Sequence, residues 1–169
     1  MGCYIAGVNQ EFVTPGNASL TMVPFLAMDQ SKTMNGRNYA YSKSISIGMC
    51  VDFCLSNGYL VADVININSS TPNYEAVRAK FLAEHTHTED EVRFFVDGEG
   101  QFFFNLESRG EIIRLICQKG DFISVPQGCP HWFDLAPKYH VKAIRVFQTP
   151  EGWVANYTDS GTEKKYIHD

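Results

Sequence analysis

The chain of 169 residues has room for one domain with a sizeable core and too little for two generous ones. Its make-up, 44% hydrophobic, 13% aromatic and 20% charged, excludes a disordered or fibrous protein. A formal charge of -5 without a basic cluster leaves no electrostatic footprint for nucleic acid or an anionic membrane and points to a small-molecule partner.

The opening MGCYIAGV resembles a myristoylation signal but has Ala6 where Ser or Thr is needed, so no lipid anchor is expected. The five cysteines (Cys3, Cys50, Cys54, Cys117 and Cys129) are irregularly spaced, which argues against a disulfide framework and for a reducing, cytoplasmic setting. Cys50 and Cys54, spaced i, i+4, read as buried free thiols rather than metal ligands. No apolar run is long enough to span a membrane, and no repeat is visible.

Loop signals (TPGNAS, MNGRN) dominate the start, followed by a weakly helical stretch around 40–56 and the β-rich run YLVADVINI. STPNYEAVRAKFLAEH predicts a short helix capped by Thr71, with Pro72 at its first position and Val77 and Phe81 on one face. From Glu91 short apolar runs alternate with turn signals: EVRFFV, DGEG, QFFFNL, ESRG, EIIRLI, QKGD, FISV, PQGCP, HWFDL and VKAIRVF. Strands every ten residues or so, joined by glycine-containing turns, predict an all-β core with minor helices, an antiparallel sandwich or small barrel. The expected organisation is a single domain over 1–169: a divergent segment 1–60, a β core 61–158 that carries the site, and a flexible polar tail 159–169. His168 in that tail is not expected to take part in chemistry, and His140 has no partner by spacing.

The chemistry concentrates in EHTHTEDEVRFFVDGEG, residues 84–100. Side chains two apart on a strand share a face, so His85 and His87 converge, and a bend at the polar residues 88–90 could bring Glu91 round to them. His131 opens the run HWFDL, facing the same way as Phe133 and Leu135, and is the best candidate for a fourth ligand. Nitrogen and oxygen donors in this mixture suit iron(II), nickel(II) or manganese(II), and four protein ligands leave two octahedral positions for a chelating substrate. Arg93 follows Glu91 on the same strand face, and Arg145 shares a face with Ala143 and Phe147. Taken singly, these arginines read as surface cations, and Phe81, Phe133 and Trp153 as core.

HTHTEDE followed after six residues by Gly98, and GDFISVPQGCPH with Gly120, Pro126, Gly128 and His131, resemble the two motifs of the cupins. Two positions depart from that pattern, Ala79 where a glycine is usual and Leu135 where an asparagine often stands. KFLAEHTHTEDEVRFFVDGEGQF, GDFISVPQGCPHWFDL, KAIRVF and EGWVANYT together resemble the acireductone dioxygenase family of methionine salvage, over roughly residues 63–158. The resemblance implies a cupin-type β-barrel (double-stranded β-helix, or jelly roll), one Fe(2+) or Ni(2+) per chain on His85, His87, Glu91 and His131, and no second cofactor. It also implies the acireductone 1,2-dihydroxy-3-keto-5-methylthiopentene and dioxygen as substrates. Iron then gives 4-methylthio-2-oxobutanoate and formate; nickel gives 3-methylthiopropionate, formate and carbon monoxide. Arg93 and Arg145 become the expected catalytic cations, and Phe81, Phe133 and Trp153 the wall for the methylthio chain. Competing readings are another metal-cupin enzyme (isomerase, decarboxylase or flavonol-type dioxygenase) and a non-catalytic metal-binding interaction module. The contexts EVRFF and PHWFDL favour the acireductone branch, and the lack of an obvious apolar stripe suggests a monomer.

Overall fold

The computed structural model describes residues 11–12, 33–34, 37–38, 40–42, 47–107, 110–149 and 154–167. The lipidation reading, Cys3, Trp153 and His168 lie outside the described residues. In chain order the elements are β1 (Glu11–Phe12), β2 (Thr33–Met34), β3 (Arg37–Asn38), β4 (Ala40–Ser42), α1 (Ile47–Ser56), β5 (Val61–Ile67) and α2 (Tyr74–Leu82). These are followed by β6 (His85–Thr86), β7 (Glu91–Leu106), β8 (Glu111–Gln118), β9 (Phe122–Val125), β10 (His131–Asp134), β11 (Val141–Phe147), β12 (Asn156–Tyr157) and a 3-10 turn at Glu163–Lys165. The architecture is the expected antiparallel β fold with few helices, and among the described residues no helix is long and apolar enough to cross a membrane.

One strand organises the rest. DGEG, expected as a hairpin turn between EVRFFV and QFFFNL, instead lies inside the 16-residue strand β7. The first part of β7 pairs with β9 and β11, which continue to β4 and β5; the second part pairs with β8 and β10, which lead to β1, β6 and β12. At the crossing, the register against β11 slips between Lys142 and Ala143 and Gly98 adopts φ 76°, the signature of a β-bulge. An extra residue in a period-2 strand exchanges its faces. Before the bulge Glu91, Arg93 and Phe95 point inward and Val92 and Phe94 join an outer cluster; after it Phe102, Phe104 and Leu106 fill the core. Phe103 is turned out instead, stacked on Trp132 with ring centroids 5.2 Å apart. Bulge and bend let one strand feed both walls of the barrel.

Helix α2 forms, but two residues later than expected. Thr71 is not its cap: its hydroxyl accepts a hydrogen bond from the Asn68 amide at 3.0 Å, and Asn73, in the left-handed region at φ 55°, precedes the first turn. Pro72 therefore belongs to the preceding turn. Arg78 anchors the helix to β10, with Nε donating to Asp134 Oδ1 at 3.2 Å, while Val77 and Phe81 pack on the core.

The C-terminal segment 154–167 lies against the rest of the fold. Its strand β12 pairs with β6, its hydroxyls Thr158 Oγ1 and Ser160 Oγ donate to the buried Glu84 at 2.6 and 2.7 Å, and Tyr166 lies against Trp132. The polar composition that suggested a free tail supplies its attachments. Cys54 and Cys117 are buried thiols, whereas Cys129 is disulfide-bonded; pairing follows proximity in space, which irregular spacing does not reveal.

Gly98 cannot be enlarged cheaply, because a Cβ there would lie 2.1 Å from the His140 carbonyl oxygen and φ is already positive. Gly98→Ala should lower the unfolding free energy by about 2 kcal/mol. A urea midpoint equal to that of the wild type, at unchanged m, would show that the bulge does not need glycine.

Candidate metal centre

The barrel interior brings His85, His87, Glu91 and His131 together, all buried, each offering a ligand atom within 4.8 Å of the others. Three local features place them. β6 presents His85 opposite His131 of β10 in register, so two imidazoles face each other across adjacent strands with ring centroids 4.6 Å apart. The bend at residues 88–90 is pinned by Gln127 N donating to Asp90 Oδ1 at 2.9 Å and Gly128 N donating to the His87 carbonyl at 2.8 Å. That bend delivers Glu91 as the first residue of β7, and its Oε2 lies 2.9 Å from His87 Nε2 and 3.0 Å from His131 Nε2.

Each imidazole is oriented from behind by a main-chain carbonyl. Nδ1 of His85 lies 2.7 Å from the Ala83 oxygen, that of His87 2.9 Å from the Val154 oxygen, and that of His131 2.8 Å from the Cys129 oxygen. A carbonyl only accepts, so each Nδ1 carries the proton and each Nε2 presents its lone pair to the centre. This is the arrangement that metal-binding imidazoles require. Neighbouring ligand atoms on an octahedral ion with bonds of ~2.1 Å sit ~3 Å apart, and the Glu91 separations of 2.9 and 3.0 Å match. The residues fit a divalent ion with mixed nitrogen and oxygen ligands.

The electrostatics agree. Burial, reinforced by repulsion from His131, drives the His85 imidazole down to about 4, so it is neutral at physiological pH. Burial works against the charge on Glu91, but the Arg93 guanidinium and the His131 and His87 imidazoles beside it outweigh burial and hold the carboxyl well below its usual range. Burial also opposes the charge on His87, yet the Glu91 carboxylate prevails and raises its affinity for a proton.

Beside the four ligands stands Arg93, 4% exposed, with Nε 2.6 Å from Glu91 Oε1. Its guanidinium is enclosed by aromatic rings, 5.0 Å from the centroid of Phe133, 5.3 Å from Phe102 and 6.0 Å from Phe81. Of the expected wall, Phe81 and Phe133 are thus at the site and pack edge to face at 6.1 Å. Arg145 is the cross-strand neighbour of Arg93; its guanidinium is partly exposed and paired with Asp63, Nε to Oδ1 at 2.8 Å. Sequence reasoning missed Phe102 and the three carbonyls. Phe102 is one of three consecutive phenylalanines whose facing depends on the bulge, and a carbonyl leaves no trace in residue type.

A family model described as the ARD/ARD' family matches residues 23–155, reaching upstream of the resemblance visible in the sequence. The acireductone dioxygenase of Picosynechococcus sp. is 55% identical over 114 residues, 68% of this chain and 64% of that protein. That of Gluconobacter oxydans is 51% identical over 105 residues, 62% of this chain and 55% of the other. Among solved structures, an acireductone dioxygenase from Bacillus anthracis with a cadmium ion in its active centre is similar with a TM-score of 0.61 at 40% identity, covering 66% of this chain and 64% of that one. The chain spans about six-tenths of the length of the curated relatives it matches.

The neutral His85 has a consequence for pH. An unfolded imidazole binds its proton near 6.5, whereas the folded one waits until about 4, so between these values the unfolded chain holds more protons. The His85 contribution to stability is therefore complete above pH 6.5 and is lost as pH falls towards about 4. His87, shifted upward, contributes in the opposite sense, with stability present below 6.5 and lost as pH rises through its raised value. Metal-stripped wild type should lose urea resistance between pH 6.5 and about 4 more steeply than His85→Asn; parallel curves would contradict a neutral buried His85.

Proposed function

The chain belongs to the ARD/ARD' family, and on that premise we propose that it is a metal-dependent acireductone dioxygenase. Its substrates in this reading are 1,2-dihydroxy-3-keto-5-methylthiopentene and dioxygen, and its place is methionine salvage. The observation that carries the reading is the common orientation of the three imidazoles, each with Nδ1 on a main-chain carbonyl, the Nε2 atoms of His87 and His131 at the Glu91 carboxylate and His85 in the same cluster of ligand atoms. His85, His87, Glu91 and His131 hold the ion, which is Fe(2+) or Ni(2+), since both accept this ligand set. When bound, the ion supplies Lewis acidity and a template for two substrate oxygens. With iron the products are 4-methylthio-2-oxobutanoate and formate, and with nickel 3-methylthiopropionate, formate and carbon monoxide.

The chain's own residues supply the rest. Glu91 alone contributes negative charge among the ligands, and Arg93 offsets it from 2.6 Å, so the centre favours an anionic enediolate over the neutral enediol. The aromatic enclosure keeps water from Arg93 and strengthens its field where the enolate oxygens bind. Phe81 and Phe133 offer an apolar surface to the methylthio chain, a role that the resemblance also assigns to Trp153. Arg145, exchanging Asp63 for solvent and substrate near the surface, attracts the anion on approach.

Purified, iron-loaded protein mixed with enzymatically generated acireductone and oxygen should deplete its ultraviolet absorbance and release formate; an inert mixture would sink the reading. Arg93→Ala should keep its metal and lose about 100-fold in kcat/KM. His131→Ala should lose metal as well as turnover. Turnover near wild type in Arg93→Ala would remove Arg93 from substrate binding, and tight metal binding by His131→Ala would break the ligand set.

A further inference from the structure

Glu84, immediately before the first ligand, is 2% exposed and is used by no part of the chemistry above. A carboxyl group so deeply buried needs hydrogen bonds, and it has them. Thr158 Oγ1 and Ser160 Oγ donate to Oε1 at 2.6 and 2.7 Å, and Asn105 Nδ2 donates to Oε2 at 2.9 Å. The Ser160 hydroxyl itself accepts from the Thr162 amide at 3.1 Å, which leaves its own proton for Glu84.

These contacts converge on the ligands by three routes. Glu84 adjoins His85 in β6. Its carbonyl accepts from the Thr158 amide at 3.0 Å, and the strand that begins there runs back along β6 to Val154, whose carbonyl holds His87 Nδ1 at 2.9 Å. Asn105, bonded to the other carboxylate oxygen, donates its own amide to the Pro130 carbonyl at 2.9 Å, one residue before His131.

We propose that Glu84 is a positioning residue for the metal centre, clasping the C-terminal strap to β6 so that the Val154 carbonyl keeps His87 aimed at the ion. The inference rests on the reading of the site as a metal centre.

The test uses zinc as a diamagnetic probe, bound to the full chain. Glu84→Leu, and separately Thr158→Val with Ser160→Ala, should release zinc to a chelator about tenfold faster than wild type, well below their melting temperatures. In both, the His87 Nδ1 proton should exchange with water about tenfold faster by NMR, following loss of its carbonyl partner. The hydroxyl pair is exposed enough to be altered in a folded chain, so the test survives if Glu84→Leu does not fold. A lowered melting temperature with zinc release and His87 exchange within twofold of wild type would reduce Glu84 to a structural clasp and overturn the proposal. Failure of the wild type to retain zinc would instead overturn the metal reading beneath it.

Discussion

Three hydrogen bonds from imidazole to main chain are the constraint on which the centre depends. Without them each ring could turn or change tautomer, and the buried cluster would be a set of histidines sharing protons with Glu91. With them, the protons are committed outward to Ala83, Val154 and Cys129, and the lone pairs are committed inward. The carbonyls come from the segment before β6, the C-terminal strap and the loop before β10, so the centre is assembled only when all three are in place.

That dependence explains why the barrel is built around β7. One strand must bring Glu91 and Arg93 inward at its start and a phenylalanine wall inward further on, yet strict alternation would turn some of these out. The bulge resolves the conflict by changing the phase once, with Val96 left over in the register, and the positive φ of Gly98 just beyond it is the local cost. Arg93 gains a dry aromatic surround from Phe102 beyond the bulge and Phe133 of β10, which magnifies its charge and couples strand register to electrostatics.

The C-terminal strap shows how polar residues become structural. Thr158 and Ser160 carry side chains that, in isolation, favour solvent, and their segment has little apolar surface of its own. Their anchor is a carboxylate buried beneath them, and the strap in turn covers the edge of β6 and supplies a carbonyl to His87.

By itself the sequence determined the chemistry-bearing residues and the class of fold. Alternation places His85 with His87 and His131 with Phe133 on common faces, glycine-containing turns mark the strands, and the two motifs give the ligand types and their order. Those signals are local, because strand periodicity and turn chemistry act within a few residues. Tertiary structure alone decided which nitrogen each histidine presents, that DGEG continues a strand, that α2 begins at Tyr74, that Arg145 pairs with Asp63, that Cys129 is bridged and that the tail is held by Glu84. Each depends on a partner distant in the chain or on a main-chain atom, and residue identity along a sequence encodes neither.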